Sequence, residues 1–156
     1  MHDVANAEFL CYHTRQEQIM GTVHAEITLK NTFDVGKALE GLIKPEEVRT
    51  ATVTAVVDTG AMYIVINESL RQKLGLTKVE DGTAHIANGE SIKCEITHPV
   101  DVHWKDRHTT IRTMVLPGAQ KILLGALALE AMDLVIDPKK QEITGAHGDH
   151  TEFLAL

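Results

Sequence analysis

Thr52-Val53-Thr54-Ala55-Val56-Val57-Asp58-Thr59-Gly60-Ala61 sets a carboxylate directly behind an apolar, β-branched run. The run predicts a strand, because β-branched side chains pack well on a pleated surface. A carboxylate at the end of such a strand needs a physical reason. Burial disfavours its charged form, so it must be hydrogen-bonded, paired with another charge, or tuned for proton transfer. Gly60 lets the backbone turn tightly, and Thr59 sets a hydroxyl beside the acid. By itself Asp-Thr-Gly is a common turn sequence, and its meaning depends on what surrounds it.

Outward from this stretch, short strands and turns dominate. Val23, Ala25, Ile27 and Leu29 alternate with polar residues, which predicts a half-buried strand, and Asn31 to Asp34 read as a turn after it. Gly36, Gly41 and Pro45 limit any helix over residues 35–48 to a short or irregular one. Tyr63 to Ile66 predict a strand, and Asn67 caps a helix over Glu68–Leu74 that Gly75 stops. Thr83–Ala87 and Ser91–Ile96, joined through Asn88-Gly89, predict a hairpin with a type I′ turn. A second hairpin turns at Lys105-Asp106-Arg107 and returns over Thr109–Leu116. Ile122-Leu123-Leu124 reads as a buried strand closed by Gly125. The helix after it, Ala126 to Met132, places Leu127 and Ala131 on one face. Val135–Asp137 and Gln141–Thr144 supply the last extended pieces. The elements indicate an all-β protein, a small closed β-barrel with one or two short helices.

Size and composition narrow the classes of function. The 156 residues suit one domain with a core of its own. A net charge of −7 argues against nucleic acid or an anionic membrane as partner. No run approaches the length of a membrane span, and Cys11 and Cys94 match no metal or redox spacing. A cytoplasmic protein with free thiols is the expectation. Of nine histidines, His98, His103 and His108 are spaced by five, which in a hairpin does not bring three side chains together, so no metal site is expected. His147-Gly148-Asp149-His150 reads as a solvated loop, and Trp104 as core or interface. Asp101, Asp106 and Asp133 lack the apolar lead-in and glycine of Asp58, and Asp137-Pro138 reads as a turn. No Gly-x-Ser-x-Gly elbow or phosphate loop is present.

Three parts stand in order: the strand ending in Asp58-Thr59-Gly60-Ala61, the Asn-Gly hairpin some thirty residues on, and Ile122-Leu123-Leu124-Gly125 before a helix. Together they resemble the retropepsin-like (clan AA) aspartic peptidases, of the bacterial and archaeal single-domain type, over roughly Met20 to Ile143. The resemblance implies a closed acid-protease β-barrel acting as a homodimer, each subunit giving one catalytic Asp58 that activates water against a peptide bond. Thr59, Gly60, Ala61 and Gly125 would support the active-site loop, and Ala87, Asn88 and Gly89 would form a flap over a peptide or protein substrate. No metal or organic cofactor is implied. Ala126 stands where some viral members carry an Arg or Asp bridging the subunits. Residues 1–19 would be an extension or processed leader, 20–146 the peptidase domain, and 147–156 a tail whose apolar end could serve the dimer. The alternative is a catalytically silent peptide-binding or regulatory module on the same fold.

Overall fold

The computed structural model describes residues 22–86 and 88–148, so the expectations for residues 1–19, for Ala87 and for the tail's apolar end lie outside the described residues. Among the described residues the strands are β1 (His24–Asn31), β2 (Thr50–Val57), β3 (Ile64–Ile66), β4 (Lys78–His85), β5 (Ser91–Thr97), β6 (Val100–Trp104), β7 (Arg107–Ile111), β8 (Thr113–Val115), β9 (Ile122–Leu124), β10 (Leu134–Asp137) and β11 (Glu142–Gly145). Three short helices accompany them, α1 (Thr32–Leu39), α2 (Glu68–Leu74) and α3 (Ala126–Ala131), with one 3-10 turn at Pro45–Glu47. The fold is all-β as the sequence indicated. Nine strands pair in the order β4-β5-β8-β3-β9-β2-β1-β6-β7, and β10 pairs with β11. Within the described residues the edges β4 and β7 do not pair with each other, so the ladder is open rather than closed.

Burial explains which strands alternate and which do not. Along β1, Ala25, Ile27, Leu29 and Asn31 turn inward and the residues between them do not. Strands β3 and β9, by contrast, are covered on both faces. Ile64, Ile66 and Leu124 join the main core with Ile27, Leu29 and Val57, while Val65 and Leu123 join a second cluster with Val56, Cys94, Ile96 and Leu116. A strand buried on both faces reads as an unbroken apolar run, as Ile64-Val65-Ile66 and Ile122-Leu123-Leu124 do. The end of β2 shows the same change, from alternation to Ala55-Val56-Val57, where it pairs in parallel with β9.

Several local expectations need correction. Asn31 opens α1 instead of a turn, because its side-chain oxygen accepts from the amides of Phe33 and Asp34 and caps the helix. The first hairpin begins at Lys78 and is closed by the Ile86 amide donating to the Glu90 carbonyl. Three residues lie between that pair, and positive φ falls on Gly89 (86°) and not on Asn88, so the tip is a three-residue loop, not a type I′ turn. The second hairpin turns at Lys105 and Asp106. Arg107 starts β7 and is buried, donating to the carbonyls of Met132, Asp133 and Gly148. The return strand is split, since β8 leaves the hairpin to pair with β5 and β3. Helix α3 buries Ala128 and Leu129, while Leu127 is exposed. The helix α2 and its caps form as expected, with Asn67 accepting from the Leu70 amide and Gly75 left-handed at the end.

Candidate active site

Asp58 stands where β2 ends. Val57 pairs with Leu124, and the Asp58 amide continues the ladder by donating to the Leu124 carbonyl at 3.0 Å. The chain cannot run on into β3 directly, because β9 lies between β2 and β3 in the sheet. Residues 58–63 must therefore arch over the end of β9. The Gly60 amide donates to the Asp58 carboxylate at 2.9 Å and the Ala61 amide to the Asp58 carbonyl at 3.2 Å, which folds the triplet into a tight turn. Asp58 is only 6% exposed. Thr59 and Gly60 beside it face solvent.

The arch is held from beneath by the start of α3. The Ala126 amide donates to the Ala61 carbonyl at 2.8 Å and the Leu127 amide to the Met62 carbonyl at 3.2 Å. These bonds satisfy two amides that a helix leaves without intrahelical partners. They also fix the loop's height above β9. Gly125 makes the approach possible. A Cβ there would stand 2.2 Å from the Tyr63 carbonyl oxygen and 2.7 Å from that of Ala61, so contact and not backbone angle requires the glycine.

The β4–β5 hairpin reaches the same region from the other side. Ala84 and Ile92 of the hairpin pack against the second core cluster, as do Ala61 and Tyr63 of the arch. Of the four residues expected to support Asp58, Thr59, Gly60 and Ala61 adjoin it along the chain, and Gly125 is brought in beneath them from far along the sequence. Asn88 and Gly89 lie at the hairpin's exposed tip, where the Asn88 side chain accepts from the Glu90 amide. Met62 on the arch is 61% exposed, and Leu127 beneath it is also exposed, leaving apolar surface beside the triplet.

A network at the hairpin's root was not expected from the sequence, where His98 was considered only as a metal ligand. The His98 amide donates to the Thr77 carbonyl (2.9 Å) and the Thr77 amide donates back to Nδ1 of His98 (2.9 Å). With Nδ1 accepting, the proton of the neutral ring is on Nε2, which donates to Oδ1 of Asn31 at 3.2 Å. Burial pushes the His98 pKa down. Behind it, Arg49 grips Asp34 through Nε (2.7 Å) and a second guanidinium nitrogen (2.9 Å), which holds the Asp34 carboxyl below its ordinary range. A polar residue capping a helix three positions before an acid, Asn31 and Asp34, was the available signal.

The other candidates are placed apart from Asp58 or in the scaffold. His103 and His108 face each other across β6 and β7 with rings 5.4 Å apart, and His98 is elsewhere. Among the described residues no group of three or more His, Cys, Asp or Glu could hold a metal ion. Trp104 packs on the core's margin under Lys105 Nζ, 4.5 Å from the ring. Cys94 is a buried thiol whose pKa burial raises. Among the described residues no helix is long and apolar enough to cross a membrane.

Residues 46–131, more than half of the chain and including the arch, the hairpin and Gly125, match the family described as gag-polyprotein putative aspartyl protease. The chain belongs to this family of retropepsin-like aspartic proteases. Among solved structures, EIAV protease complexed with the inhibitor HBY-793 is similar, with 22% sequence identity and a TM-score of 0.42 over 51% of this chain and 75% of that one. No curated protein matches.

Proposed function

We propose that the protein is an aspartic endopeptidase that works as a homodimer, with one Asp58 from each subunit forming the catalytic pair. The observation that carries this reading is the buried carboxylate of Asp58 on an arch fixed by backbone hydrogen bonds, in a family member whose sequence holds a single Asp-Thr-Gly. Two carboxylates about 3 Å apart cannot both ionise easily, so they share a proton and titrate as a pair. One accepts a proton from a water whose oxygen attacks the scissile carbonyl carbon. The other donates a hydrogen bond to the developing oxyanion, and the nitrogen takes a proton as the C–N bond breaks. Thr59 is exposed in the single chain, leaving its hydroxyl free to brace the partner's arch. The β4–β5 hairpin covers an extended peptide, and main-chain groups near Asn88 and Gly89 bond to it as an added strand does.

Peptide cleavage, thermal melting and sedimentation of wild type and Asp58→Asn test this directly. The variant keeps the melting temperature and the dimer and loses cleavage, because the amide preserves shape but cannot share the proton. A wild type that remains dimeric and cleaves nothing from acid to neutral pH overturns the peptidase reading and leaves a peptide-binding module. A strictly monomeric wild type at working concentration overturns the shared pair.

A further inference from the structure

Every polar atom of His98 is engaged, and together these bonds close the root of the β4–β5 hairpin and tie it to the body. Thr77 immediately precedes β4 and His98 immediately follows β5, so their two reciprocal hydrogen bonds close the hairpin at its base. The His98 carbonyl accepts from the Thr97 hydroxyl (2.8 Å), whose oxygen accepts in turn from Thr113 (2.7 Å). The ring, 2% exposed, stacks on Phe33 with centroids 3.9 Å apart and planes 5° from parallel. Nε2 is held by Asn31, whose side-chain nitrogen donates to the carbonyls of Leu74 and Gly75. The imidazole therefore ties the hairpin's base to α1 and, through Asn31, to the end of α2, while the Thr97 hydroxyl ties it to β8.

We propose that His98 is a positioning residue for the hairpin over Asp58, and that only its neutral ring can serve. The inference rests on the peptidase reading for its consequence in catalysis. Protonation puts a second N–H on Nδ1, facing the Thr77 amide. Two donors then oppose each other, and one must turn away. The charged groups facing the ring are Asp34 and Arg49. They are tied to each other bidentately, so the acid does not compensate a new imidazolium by itself. Acidification, which loads the proton that a carboxylate pair shares, thus loosens the cover that holds substrate. The two demands meet at the acid side of the pH profile.

The test reads the hairpin without turnover. Amide hydrogen exchange is followed from pH 7.5 downward on full-length Asp58→Asn protein, corrected for intrinsic exchange, with the amides of the separate β10–β11 sheet as internal reference. Below the ordinary histidine value of 6.5, the β4–β5 amides lose protection by up to tenfold per pH unit, while the β10–β11 amides, which open locally without freeing His98, do not. His98→Asn, whose Oδ1 accepts from Thr77 at every pH, flattens that slope. In active protein the KM for a peptide rises over the same range, kcat does not follow it, and His98→Asn removes the KM trend. Equal loss in the hairpin and in the reference strands, no loss in either, or an unchanged slope in His98→Asn overturns the role of His98. A wild type without cleavage but with the hairpin-specific slope overturns the peptidase reading alone.

Discussion

A buried carboxylate lies near each end of strand β2, and the bonds described at the two differ in kind. Asp34 sits against the residue that leads into β2, Arg49, and is 4% exposed. A guanidinium takes both its oxygens, and the Arg49 amide adds a third bond at 3.1 Å. Asp58, 6% exposed, lies roughly 30 Å along the strand from Arg49. Its carboxylate accepts from the amide of its own turn, and its backbone is locked to Leu124. Equal burial therefore does not imply equal purpose. Where the fold surrounds an acid with a committed cation, the acid holds structure together. Where backbone hydrogen bonds fix the acid's turn and Thr59 and Gly60 beside it stand in solvent, the acid's position is what has been secured.

The comparison breaks most sharply on a pair of amide substitutions. Asp58→Asn lowers kcat roughly a thousandfold or more, the scale of acid–base catalysis, with little change in unfolding free energy. Asp34→Asn does the reverse. It unbalances the Arg49 guanidinium and costs about 1–3 kcal/mol, toward the lower end because Arg49 is half exposed, with kcat close to wild type. Turnover and urea denaturation of both variants decide the matter. A large stability loss in Asp58→Asn, or a large kcat loss in Asp34→Asn at full folding, erases the distinction.

Gly125→Ala sharpens the claim that the arch is what the Asp58 end has invested in. The added methyl would meet carbonyl oxygens of Tyr63 and Ala61 at impossible range, so the arch must lift or α3 must shift. Overpacking of this kind costs about 3 kcal/mol. Cleavage falls along with stability, unlike in either amide variant. A melting temperature within a degree of wild type would show that the arch is not pressed on Gly125.

Acid pH separates His98 from Asp34 by window, since both contributions are lost as pH falls but the histidine's goes first. The folded pKa of His98 is depressed, so the unfolded chain takes up that proton first. Its stability is present in full above 6.5 and is lost as pH falls from there to the folded value. The folded pKa of Asp34 is also depressed, and as an acid its contribution is full above 3.8 and lost as pH falls through the folded value. Urea midpoints should decline from about pH 6.5 and decline again below about 3.8. His98→Asn removes the upper step and Asp34→Asn weakens the lower one; a single step that both variants leave intact contradicts both assignments.

Legibility in the sequence followed the range of the interactions. The β2 strand with Asp58 at its end, the Asn67 and Gly75 caps of α2, and the doubly buried β9 could be read because alternation, capping and apolar runs are local. Gly125 was placed by its position in the family pattern, but the contact that demands it, with Tyr63, lies sixty residues away. The division of Thr109–Leu116 into β7 and β8 was invisible, since pairing partners in β5 and β3 decide it and no local signal does. The role of His98 was not seen for the same reason. Its partners Asn31 and Thr77 are distant in sequence, and spacing among histidines said nothing about either. Around the hairpin tip Asn-Gly was read as a two-residue turn, whereas Gly89 takes positive φ and Asn88 does not.

That tip gives the smallest and most discriminating effect. Gly89 has φ of 86° and no atom within 4 Å of where a Cβ would stand, so Gly89→Ala meets backbone strain without a clash. The strain amounts to about 1 kcal/mol, and it falls on a solvent-exposed loop that opens locally without unfolding the sheet. The global unfolding free energy should therefore move by less than that. If the hairpin belongs to the functional end of the molecule, KM for a peptide rises several-fold while the urea midpoint hardly moves. If the hairpin is only an exposed edge of the sheet, neither changes. A stable Gly89→Ala with wild-type KM would confine the functional end to the arch itself, and the contrast with Asp34 would then concern a single turn instead of a whole side of the fold.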